Sequence, residues 1–148
     1  TALVAAASGD DPTTRDAALS LLGDRGDAPA TSALVDLALA TELAHPVHRT
    51  LSQPGAARVE ALALRLAAAD DRAAGILVAA LARMGDDVAI AALFDALASE
   101  NPAARRTAAA ALVGIGAEGA RAAVAGRALS DPDPEVRRVC IAMSADPP

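Results

Sequence analysis

With 148 residues, 53% of them hydrophobic, the chain has the length and apolar content for one folded domain, yet its core is nearly free of aromatics: Phe94 stands alone, without Tyr or Trp. Nineteen acidic residues against thirteen basic ones leave a net charge of −6, which argues against a backbone grip on DNA or RNA, and the missing aromatics remove a stacking platform for single strands. No uncharged apolar run reaches the roughly 18 residues of a membrane span, and the one cysteine, Cys140, cannot form an internal disulfide, so the reading is a cytoplasmic protein away from membranes.

Residues 1–9 read as the tail of a helix, so the chain starts inside a repeating unit. A helix is expected at 12–23, with Thr14, Ala17, Ala18, Leu21 and Leu22 as its apolar stripe and Gly23 and Gly26 flanking the turn that follows. A second spans 29–41 and carries Leu34, Leu37 and Ala38. Residues 42–53 form an irregular unit of at most two helical turns, with Pro46 in the first turn or breaking it. Helices then follow at 55–69, 72–84 (closed by Gly85), 88–99, 102–113 and 118–129. The last begins at 134, with Val136, Val139, Cys140 and Met143 on one face, and residues 145–148 read as an exit or linker.

Three of these helices start alike. Asp11-Pro12, Asn101-Pro102 and Asp133-Pro134 each place a capping side chain before Pro at the first helical position, with Arg15, Arg105 or Arg137 three residues after the Pro. Starts near 12, 43, 72, 102 and 134 are separated by 31, 29, 30 and 32 residues, and another helix begins between each pair, near 29, 55, 88 and 118. A two-helix unit repeated about every thirty residues is the signature of an α-solenoid.

The motif Asp/Asn-Pro-x-x-x-Arg/Asp at a helix head, small residues, then Leu-x-x-Ile/Met-Gly is best seen in 101–116. It is partial in 70–85, 133–143 and 11–26, and weakest in 42–53. It resembles the short bacterial HEAT repeats of the armadillo-like superfamily. The resemblance implies an all-α fold: a right-handed α-solenoid of stacked antiparallel helix pairs, about four and a half repeats in a single domain over 1–148. The domain would be a segment of a longer chain, with further domains or end-to-end oligomer contacts at its ends. It also implies a noncatalytic protein-binding or assembly scaffold without cofactors, its partner a protein or peptide. The alternatives are a small-molecule enzyme, such as a tetrapyrrole-lyase-like HEAT protein, and, further off, a nucleic-acid binder.

The second helices of the units would line the inner curve. Their polar residues Asp36, Arg58, Glu60, Arg65, Asp95, Arg121 and Arg127 form the expected protein-contact surface, of mixed sign. Arg15, Arg105 and Arg137 share one position and would form a ladder, each pairing with an acidic residue of its own or a neighbouring unit, or contributing to partner binding.

Other chemistry-bearing residues have plainer readings. His45 and His48 could face one metal if this segment were helical, but they lack a nearby Cys and Glu42 is a third ligand only by favourable geometry, so they read as turn or inter-repeat contacts. Cys140 falls on an apolar stripe without a histidine near it in sequence and reads as a small core residue. Gly23-Asp24-Arg25-Gly26 and Gly114-Ile115-Gly116 follow helices and read as turns, not phosphate loops. Asp10-Asp11, Asp70-Asp71 and Asp86-Asp87 read as helix starts.

Overall fold

The computed structural model describes residues 2–145, and these contain ten helices and no strand. They are α1 (Ala2–Ala7), α2 (Pro12–Arg25), α3 (Ala28–Leu39), α4 (Val47–Leu51), α5 (Ala56–Leu66), α6 (Asp71–Met84), α7 (Asp87–Ala96), α8 (Pro102–Gly114), α9 (Ala120–Ser130) and α10 (Pro134–Ser144). The even-numbered helices stack in order, α2 on α4, α4 on α6, α6 on α8 and α8 on α10. In the other layer α3 packs on α5 and α5 on α7, while α9 lies against α8 and α10. The result is a short α-solenoid of stacked antiparallel helix pairs. Residues 146–148, the end of the expected linker, lie outside the described part.

Local chemistry sets the starts. Asp27, Asp70 and Asp86 accept the backbone N–H of Ala30, Ala73 and Ala89 at 2.9, 2.8 and 2.9 Å, and Asp11, Asn101 and Asp133 cap α2, α8 and α10. Of the paired aspartates, Asp11, Asp70 and Asp86 are the caps. Gly26 and Gly85 end α2 and α6 at φ 58° and 67°, a region open to residues without a Cβ.

The layers meet in a core whose largest members are Leu34, Leu51, Leu62, Leu77, Leu81, Leu93 and Leu112, with buried alanines between them. Alanine adds little apolar area at about 25 cal/mol per Å², and lets helices approach closely enough for each leucine to touch many neighbours. Val136 and Cys140 of α10 are fully buried, so the last helix seats its apolar face on the unit before it.

Several expectations are corrected. The buried stripe of α2 is Ala18, Leu19, Leu22 and Gly23, whereas Thr14, Ala17 and Leu21 face outward. Gly23 is helical rather than part of a turn. A Cβ built there would meet Gln53 Oε1 at 2.6 Å and Thr50 Cγ2 at 3.0 Å, because α4 lies close against this turn of α2. Gly114 likewise closes α8, and Gly116 makes the turn at φ 69°.

Helices α5 and α7 stop three residues early. Ala68 and Ala69 bond back to Arg65 and Leu66, and Ala98 and Ser99 to Asp95 and Ala96, in tight three-residue turns. The irregular unit supplies only the five residues of α4 to the first layer.

Candidate functional site

The arginines at the helix heads meet different partners. Arg105 Nε donates to Asp131 Oδ2 at 2.8 Å and Nη2 to Oδ1 at 2.9 Å, a two-pronged pair with both side chains buried. Its Nη1 donates to the carbonyls of Ser99 and Glu100 at 2.8 and 3.1 Å, so one side chain ties the α7–α8 turn to the α9–α10 junction. Arg137 finds no carboxylate among the described residues and donates to the Asp131 carbonyl at 2.6 Å. Arg15, half-buried, pairs with its neighbour Asp16 at 3.3 Å. Asp131 is therefore the shared acceptor of the C-terminal units. Burial alone would raise its pKa, but the Arg105 hydrogen bonds, the Asp133 N–H and the charges of Arg105 and Arg127 hold it below 3.8.

Arg58 was expected on an exposed contact surface and is 1% exposed. It lies in the first turn of α5, in the other helix layer, where Nη1 donates to the Gln53 carbonyl at 2.8 Å and Nη2 to the Gly23 carbonyl one repeat earlier. Burial lowers its pKa from that of a free guanidinium, with the Asp24 charge opposing.

The other expected contact residues lie on the second layer. Arg65 of α5 donates to Asp36 of α3 at 2.9 Å and to Ser32 Oγ at 3.1 Å, and Arg127 of α9 reaches Asp131 at 3.5 Å. Glu60, Asp95 and Arg121 are exposed on α5, α7 and α9. Beside the Arg65–Asp36 pair lies a groove of about 290 Å³, lined by Val35, Leu39, Leu64, Arg65, Ala68 and Leu77 among others. Leu64 stands at its edge, 70% exposed.

A larger cavity, about 640 Å³, opens beside α4. Its walls are Thr41, Glu42 and Leu43 before α4, His48 within it, and Arg72, Gly75, Ile76, Ala79 and Arg83 along one face of α6. The five-residue α4 covers only one end of α6 and leaves the rest of that face open. Arg83 is fixed there, with Nε donating to Ser52 Oγ at 2.9 Å and Nη2 to the His48 carbonyl at 3.0 Å.

The histidines are not a matched pair. His45 Nδ1 accepts the Val47 N–H at 3.1 Å and starts α4. His48 is 5% exposed, and its Nε2 has no hydrogen-bond partner. Burial lowers its pKa below 6.5, the Glu42 carbonyl opposes, and Arg83, His45 and Arg72 add to the lowering. Among the described residues no three His, Cys, Asp or Glu side chains gather as a metal would require. Burial raises the pKa of the Cys140 thiol, with the Asp131 charge adding, and keeps it protonated.

No helix among the described residues is long and apolar enough to cross a membrane. A comparison with curated proteins finds no match. The profile of the HEAT repeats matches residues 59–144, more than half of the chain, from α5 through α10. Its stacked helix pairs agree with that match, and the chain belongs to the HEAT repeat family.

Proposed function

We infer that the chain is a noncatalytic binding or assembly scaffold that holds a protein or peptide on its second helix layer, in the cytoplasm, where the lone Cys140 stays reduced. The observation that carries this reading is the groove between α3 and α5, where exposed Leu64 stands beside the Arg65–Asp36 pair. An apolar anchor bordered by charges of both signs suits a partner side chain with polar flanks. Glu60, Asp95 and Arg121 extend the same mixed-charge surface onto neighbouring helices, which argues for a protein over a polyanion.

Affinity capture with the native chain and with a Leu64→Glu/Arg65→Glu variant tests it. A protein recovered with the native chain and lost with the variant supports the reading. Equal recovery with both overturns the groove assignment.

A further inference from the structure

We propose that the cavity between α4 and α6 is a binding site for a small amphiphilic carboxylate, an aliphatic chain ending in one negative charge. It belongs to the other helix layer and does not depend on the protein-contact groove. Four observations carry it.

The first is shape. A cavity of about 640 Å³ is the size of small-ligand pockets. It exists because α4 contributes five residues where α6 has fourteen, so part of a regular helix face, Arg72, Gly75, Ile76 and Ala79, has no helix against it. The second is the floor. Gly75 sits in the middle of α6, and a Cβ built there would meet nothing within 4 Å. Packing does not demand a glycine here. Its effect is to keep the cavity deep, beside the apolar Ile76, Ala79 and Leu43, the last 78% exposed and facing no core.

The third is charge. Among the described residues Arg72 has no acidic partner, and Arg83 is held by a hydroxyl and a carbonyl, so neither guanidinium is ion-paired there. Asp71 is engaged by Arg106, so among the described residues that line the cavity the charges without an ion pair are Arg72 and Arg83 against Glu42, on a chain whose net charge is −6. The fourth is His48. This nearly buried ring lines the cavity, and its Nε2 lacks any partner in the protein. Buried polar atoms without partners are rare, and a ligand polar group supplies the missing bond.

In this site the aliphatic chain lies over Gly75, Ile76 and Ala79, and the carboxylate pairs with Arg72. Decanoate and decanol, titrated into the whole chain by calorimetry, test it. Decanoate should bind saturably at one site. Arg72→Gln should weaken decanoate about tenfold and leave decanol unchanged, because it removes a charge-assisted bond and not the apolar floor. Gly75→Leu should abolish binding of both while the helix content by circular dichroism stays native, since the new side chain grows into open space. The proposal is overturned if native protein shows no saturable binding below the concentration at which decanoate aggregates, or if Gly75→Leu binds as tightly as native. It is also overturned if Arg72→Gln weakens both probes alike, or if an acidic amphipathic peptide binds the cavity and decanoate does not.

Discussion

Asn101 reaches Leu66 across a full repeat: its Nδ2 donates to the Leu66 carbonyl at 3.0 Å and to the Ala69 carbonyl at 2.8 Å, while its Oδ1 accepts the Ala103 N–H at 3.1 Å. One amide thus closes the C-terminal end of α5 and opens α8. The caps of α2 and α10 are aspartates, which accept but cannot donate. Asn101→Asp should keep the helix start yet set a carboxylate against two carbonyls, destabilising the fold by about 2 kcal/mol. Denaturant unfolding measures the loss. A neutral result would show that the two carbonyl bonds contribute nothing net.

The buried Arg105–Asp131 pair makes a sharper case. Asp131→Ala leaves a buried guanidinium without its counter-charge and should cost about 3–5 kcal/mol. The Arg105→Ala/Asp131→Ala double variant should lose less than the sum of the single variants, as a double-mutant cycle of melting curves would show.

The same pair gives an acid limb. Asp131 has a folded pKa below its ordinary 3.8, so below that ordinary value the unfolded chain binds the proton first. The stabilisation is complete above the ordinary value and lost as pH falls through the folded one. Native protein should therefore lose stability steeply below about pH 4. Asp131→Asn, less stable at neutral pH, should show a shallower slope there when unfolding free energy is measured against pH.

His48 acts in a different window. Its folded pKa lies below 6.5, so the unfolded chain gains a proton first as pH falls from neutrality. The stability present above 6.5 should decline as pH falls below that value, and His48→Leu should flatten part of that decline. An unchanged slope in the variant would mean that His45 or another group carries it.

Two helical glycines should respond in opposite directions. Gly75→Ala faces open space and should stabilise α6 by about 1 kcal/mol through helix propensity. Gly23→Leu must displace Gln53 and press on Thr50, and overpacking of this kind costs about 1–3 kcal/mol. Melting temperatures of the two variants distinguish the cases.

What could be read from the residues follows the range of the forces involved. The starts at Pro12, Asp71, Pro102 and Pro134 were legible to within a residue, because a cap is decided by four or five consecutive positions. The ends of α5 and α7 were not, since the alanines beyond them suit a helix or a tight turn equally and the outcome is set partly by Asn101 from the next repeat. Arg58 shows the same limit: its charge signals exposure, and only the Gly23 carbonyl, 35 residues away, explains its burial. The cavity beside α4 has only an indirect trace, the poor match of 42–53 to the repeat. What that shortfall uncovers on α6 depends on how the layers stack.

Four of the polar ties between units share one length, the longest. Arg58 to Gly23, Arg83 to His48, Asn101 to Leu66 and Arg106 to Asp71 each span 35 positions, and among the described residues no side-chain hydrogen bond reaches further. A chain wired in this way has a memory of one unit. A substitution in α2 is felt by α4, which touches it, and has no direct line to α8. One unit can therefore depart from the pattern, as 42–53 does, while the units two places away keep their own packing.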